Sequence, residues 1–125
     1  MLNNNFRGVY SADTIYLHKN GFYIVNTDKS FMRGKHWVVY FKNDKHVECF
    51  DSCGKNGYYY NMYESDVFNS INLQGKLPVC AYYCLCYCIM RCRGISIKNI
   101  IKILAKKSDI NVVKGIIKRF TFLIN

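Results

Sequence analysis

Cys80, His36 and Asp51 are the residues whose types and neighbourhoods could do chemistry in this 125-residue chain. A thiol in the first turn of a helix meets free backbone N–H groups and the positive end of the macrodipole, and both favour the thiolate. An imidazole within reach can take and return the proton, and a carboxylate on its other nitrogen orients the ring and stabilises its cation. Such a trio performs nucleophilic acyl transfer. The competing reading makes Cys80, Cys84, Cys88 and Cys92 small hydrophobes on one stripe of a buried helix, and makes His36 and Asp51 a surface pair.

Seven cysteines, five of them between Cys80 and Cys92, also raise metal and disulfide chemistry. Thiols at i, i+4, i+8 and i+12 stretch over about 18 Å of helix axis, too far for one tetrahedral ion, and no CxxC pair occurs. No metal site is expected. The odd number and the crowding argue against a secreted disulfide framework and for a reducing compartment.

Helix signals put Cys80 where thiol chemistry needs it. The apolar run from Leu77 to Met90 is about 14 residues long, short of the roughly 20 that cross a bilayer, so it reads as a buried helix. Pro78 before it, Arg91 and Arg93 at its end and Gly94 beyond predict a helix over 80–92. Ile97, Ile100, Ile101, Leu104 and Ala105 recur at helical spacing after a candidate cap, Ser96, and predict a second helix that is amphipathic. Val112, Val113, Ile116, Ile117 and Phe120 predict a third, capped by Ser108 or Asp109.

Strand signals bring His36 and Asp51 together. Phe22 to Thr27, His36 to Lys42 and His46 to Ser52 are rich in β-branched and aromatic residues. Asn43-Asp44 suits a two-residue turn, which pairs Lys42 with Lys45, Tyr40 with Val47, Val38 with Cys49 and His36 with Asp51. A four-residue loop closed by Phe41 and His46 keeps that register, whereas a three-residue loop puts His36 and Asp51 on opposite faces.

The chain carries 18 Lys and Arg against 8 Asp and Glu, a formal charge of +10. Most of the excess falls after residue 87. Lys98, Lys102, Lys106, Lys107, Lys114, Lys118 and Arg119 spread over the second and third helices, either as solvated faces in a chain rich in Asn, Lys, Ile, Tyr and Phe, or as a polyanion-binding flank. With half its residues hydrophobic the chain can bury a core, and its length fits one domain, 1–125. Met1 to Arg7 is polar, unlike a signal or transit peptide.

The run FYIVNTDKSFMRGKHWVVYF, followed by ECFDSCG, LQGKLPVCAYYCLCY and MRCRG, resembles the adenoviral-type cysteine proteases, including those of Maverick/Polinton elements and related viruses. The likeness extends from about Phe6 to Phe120. Carried over residue by residue, it implies a base at His36 followed by Trp37, an acid at Asp51, an oxyanion-hole Gln at Gln74, and the nucleophile at Cys80. Proteases specific for SUMO and related modifiers share this order. Ala81 stands where the family has Gly. Asp51 and the six-residue step from Gln74 to Cys80 match the SUMO-specific enzymes, whereas the adenoviral ones have Glu and seven.

The resemblance implies an α+β fold in which a small central sheet packs on a buried helix with the nucleophile at its N-terminus, flanked by amphipathic helices. It implies a cysteine endopeptidase that cuts viral capsid and core precursor polypeptides at glycine-containing sites during virion maturation. The rival readings are a protease for a ubiquitin-like modifier and a catalytically silent binding module. No cofactor is required, although DNA is a candidate activating polyanion, bound without base specificity through the basic flank. The expected protein is a monomer with no membrane contact, inside the host cell, in the nucleus, and in the virion.

Overall fold

A computed structural model describes residues 5–27, 36–55, 62, 65–73, 80–106, 115 and 118. Five strands lie side by side in chain order: β1 (Phe6–Ser11), β2 (Gly21–Asn26), β3 (Trp37–Asn43), β4 (His46–Phe50) and β5 (Val67–Phe68). The β2–β3 and β3–β4 pairs are antiparallel, while β1 on β2 and β5 on β4 are parallel. Helices α1 (Cys80–Cys92) and α2 (Ile97–Lys106) complete a small α+β arrangement with a mixed sheet. The sequence signals contain neither β1, whose ladder slips between Phe6 and Val9, nor β5, which is two residues long.

Alternation along the central strands builds two cores. Phe22, Val39 and Phe50 point to one face, where they meet Tyr83, Cys84 and Tyr87 of α1 and, beyond them, Ile100 and Leu104 of α2. The Phe50 and Tyr87 rings stack with centroids 4.8 Å apart, worth about 0.5–1.5 kcal/mol beyond the area buried. Tyr23, Val25, Val38, Tyr40 and Cys49 point to the other face. Parallel neighbours cannot be joined by a hairpin. The β1–β2 connection therefore crosses that second face and brings Ile15 and Leu17 onto it. Cys84, Cys86 and Cys88 are buried, as small hydrophobes would be, and all seven cysteines are free thiols.

Gly94 ends α1 in left-handed backbone (φ 88°), with the Ile95 N–H returning to the Met90 carbonyl at 3.1 Å. Near this end α1 is clamped to β4. Tyr87 Oη donates to Glu48 Oε1 at 2.5 Å, Arg91 adds bonds at 3.2 and 3.0 Å, and the guanidinium lies 5.0 Å from the Phe41 ring centroid. Ser96 caps α2 through a 3.3 Å bond from the Asn99 N–H. The third predicted helix lies outside the described residues except for Gly115 and Lys118, which are helical. Among the described residues no helix is long and apolar enough to cross a membrane.

The β3–β4 turn departs from the expected one by a residue. Asn43 pairs with His46, Lys42 with Val47 and Tyr40 with Cys49, so the loop residues are Asp44 and Lys45, not Asn43 and Asp44. Asp44 takes the left-handed backbone (φ 54°). A contact from outside the hairpin fixes this choice: the Asp44 N–H donates to Asn20 Oδ1 at 2.8 Å, and Asn20 Nδ2 donates to Asp44 Oδ1 at 3.1 Å. Each residue's partner thereby moves by two positions, an even step that keeps every side chain on its face.

Candidate active site

His36 immediately precedes β3, where its carbonyl accepts the Thr27 N–H at 2.9 Å and extends the β2–β3 ladder. Asp51 immediately follows β4. With the register moved by two they are diagonal neighbours, and Nε2 of His36 still reaches Oδ1 of Asp51 at 2.5 Å. The carboxylate is fully buried, while the imidazole keeps 15% of its surface.

Backbone groups hold that carboxylate in place. The Cys53 N–H donates to Oδ1 at 2.9 Å and the Lys55 N–H to Oδ2 at 3.1 Å. Asn69, just past β5, behaves like a missing strand neighbour. Its Oδ1 accepts the Asp51 N–H at 2.9 Å, and its Nδ2 donates to the Asp51 carbonyl at 2.5 Å. The chain then turns at Gly54 (φ 79°), where an added Cβ would come within 2.8 Å of the Ile71 backbone. Only glycine fits there without displacing the loop that presents Asp51.

Cys80 bonds to the same imidazole. Because Nε2 is committed to Asp51, Nδ1 is the nitrogen left for the thiol. Burial opposes the charge on both partners, pulling the His36 pKa down and the Cys80 pKa up. Hydrogen bonds overcome it. Asp51 and Cys80 raise His36 to about 9, while His36 and the backbone N–H groups of Trp37 and Ala81 bring Cys80 below the ordinary thiol value of 9.0. The shared hydrogen bonds thus favour the imidazolium and the thiolate together. Trp37 also anchors the helix behind the sulfur, since its carbonyl accepts the Cys84 thiol at 3.3 Å.

The structure therefore brings together His36, Asp51 and Cys80 from the ends of β3, β4 and α1. Gln74 lies outside the described residues. Ala81 is exposed, and its methyl lines an apolar hollow of about 230 Å³ with Val9, Ile24, Trp37, Cys84 and Leu85. Lys98, Lys102 and Lys118 are exposed, with Lys98 and Lys102 one turn apart on α2; Lys106 ends α2, and Lys107, Lys114 and Arg119 lie outside the described residues.

Sequence reasoning missed two members of the site. Asn69 carried no signal, because its partner is backbone 18 residues away. Cys53 lay in plain view two residues after Asp51, and its sulfur, an Asp51 oxygen and a His36 nitrogen lie within 4.8 Å of one another. Neither family models nor curated proteins give a match to the chain.

Proposed function

We propose that the chain is a cysteine endopeptidase of the adenoviral type, cutting capsid and core precursor polypeptides at glycine-containing sites during virion maturation. The observation that carries this reading is the unbroken run of hydrogen bonds from Asp51 through His36 to Cys80. Cys80 is the first described residue of α1, and the family resemblance implies the nucleophile at such a helix start.

The Cys80 thiolate attacks the scissile carbonyl, forming the C–S bond and pushing the carbonyl electrons onto oxygen. The backbone N–H of Cys80 and, by the resemblance, the Gln74 amide receive that oxyanion, each donor contributing about 3 kcal/mol to the transition state. As the tetrahedral centre collapses, the C–N bond breaks and His36 gives its Nδ1 proton to the leaving amine. Water then adds to the thioester with His36 as base, the C–S bond breaks, and acid product and thiolate separate. Asp51 keeps the ring oriented throughout.

A second reading, removal of a ubiquitin-like modifier, is favoured by an Asp at position 51 and by the six-residue step from Gln74 to Cys80. The decisive experiment compares wild type with Cys80→Ser on a short Gly-Gly peptide and on a folded modifier carrying the same fluorophore. Cleavage of the short peptide that vanishes in Cys80→Ser supports the endopeptidase. A strong preference for the folded modifier moves the assignment to the second reading. No thiol-dependent cleavage of either substrate makes the domain a silent binding module. The host nucleus and the virion are the sites this function implies.

A further inference from the structure

We propose that His36, Asp51 and Cys53 form a binding site for a thiophilic divalent cation of the zinc class, and that such an ion reversibly closes the thiol site. The binding site stands on the geometry alone; the closing of the site rests on the endopeptidase reading. The three residues place an imidazole nitrogen, a carboxylate oxygen and a thiol sulfur within 4.8 Å of one another. Around tetrahedral zinc, with bonds of about 2.0–2.3 Å, neighbouring donors lie roughly 3.3–3.8 Å apart, so a shift of about 1 Å suffices.

The local fold favours that shift over a larger one. Asp51 and Cys53 belong to one tight turn, closed by the Gly54 N–H on the Asp51 carbonyl at 2.8 Å and by the Cys53 N–H on Oδ1 at 2.9 Å. Two of the three ligands are therefore presented by a single loop, with His36 fixed against it across the hairpin. Cys53 is only partly buried, which leaves the cluster an entry from solvent. A mixed N, O, S donor set suits zinc and its neighbours, and disfavours magnesium and calcium, which take oxygen ligands. Cys80 shares the imidazole through its other nitrogen and is not a member of the cluster.

Binding releases the proton held between His36 and Asp51 and the Cys53 thiol proton to solvent. The ring keeps the Nδ1 proton that faces Cys80, but it can release that proton only as an imidazolate and can take up no second one, so it no longer serves as the acid for a leaving amine. The spacing that keeps Cys80, Cys84, Cys88 and Cys92 from sharing one ion leaves this cluster untouched, because none of its three residues lies on α1.

The experiment titrates zinc into the chelator-treated full chain against a chromophoric chelator, and repeats it with cobalt(II) to read the sulfur-to-metal absorption band. One ion per chain is expected, with a cobalt–sulfur band. Cys53→Ser and, separately, His36→Ala should each weaken binding by about tenfold or more, since even residues behind a ligand cost that much. Zinc should also slow peptide cleavage by the wild type, and chelator should restore it. Failure to compete at micromolar zinc, or titration of both variants like wild type, overturns the site. Metal affinity is read without substrate, so it and peptide cleavage fail independently.

Discussion

His36 and Asp51 are bonded diagonally across the β3–β4 hairpin, 2.5 Å apart, although neither belongs to the paired ladder itself. Each is the first residue beyond its strand, at the end of the hairpin away from the turn. Side chains at such an end are held by the sheet behind them and still reach the start of α1. This arrangement makes the thiol site depend on register, on the loop after β4 and on the seating of one helix, and each dependence can be measured.

Cys80 should be the most reactive thiol in the chain. Iodoacetamide at pH 7 meets about 1% thiolate in a cysteine of ordinary pKa 9. The Cys53 and Cys84 thiols are pushed up by burial and by neighbouring negative charge, whereas Cys80 is brought down by His36 against its own burial. The expected alkylation rate at Cys80 exceeds theirs by tenfold or more, with a plateau reached at lower pH. In His36→Ala the burial penalty remains and its compensation is gone, so the profile must move to higher pH. Peptide mapping after timed labelling reads both, and equal rates at the three thiols would refute the ion pair.

Asp51→Asn tests the orienting carboxylate. Oδ2 receives the Lys55 N–H and Oδ1 receives both the Cys53 N–H and His36, so an amide nitrogen at either position opposes a donor. Turnover should fall about 10²- to 10⁴-fold with KM little changed. The same substitution removes the main upward pull on His36, so its titration, near 9 in the wild type, must move down. The alkaline limb of kcat/KM moves with it, and NMR of the imidazole protons measures that shift directly. An unmoved His36 titration would mean that Asp51 is only a structural acid.

Asn69→Leu should loosen the loop without touching the thiol. It takes the side-chain acceptor from the Asp51 N–H, at about 1–3 kcal/mol for a buried donor, while the Asp51 carbonyl keeps the Gly54 N–H. Denaturant unfolding should show that loss. Asn69→Asp keeps the acceptor but sets a buried carboxylate oxygen against the Asp51 and Ile71 carbonyls that Nδ2 served, so it should recover none of the stability. If both variants unfold like wild type, Asn69 is not the strut described above.

The basic flank makes a separate prediction. Lys98 and Lys102 are exposed on one face of α2, and a surface that meets only phosphates binds duplex without sequence preference. Log affinity should then fall by about 0.9 per phosphate neutralised for each tenfold rise in salt. Lys98→Glu with Lys102→Glu should flatten that slope by about two contacts. No binding of random duplex at ~50 mM salt, or binding with no salt dependence, leaves these lysines as solvated faces.

The sequence made much of the site legible, for identifiable reasons. Helix α1 was readable because Gly94 marks its end and its run of apolar residues is too long for a strand. The meeting of His36 and Asp51 survived a wrong turn because side chains alternate with period two, and a displacement of two conserves the face. The turn itself was not readable, since Asn20 chooses Asp44 from 24 residues away. Nor was β5, whose two residues have no pattern to show and whose value lies in delivering Asn69. The Glu48 clamp on Tyr87 and Arg91 was hidden because it joins β4 to α1, elements about 40 residues apart, through charge in a half-buried place.

The slipped ladder in β1 bears on how the molecule behaves at high concentration. Among the described residues strand β1 is an outer edge of the sheet, and Val9 on it is 58% exposed. A flat edge of that kind invites another chain to add a strand. Gly8, at φ 114°, and the register shift between Phe6 and Val9 break the edge, so only Val9, Tyr10 and Ser11 remain in regular array. A bulge of this sort twists the backbone and misaligns its unpaired groups, which guards the fold against edge-to-edge aggregation.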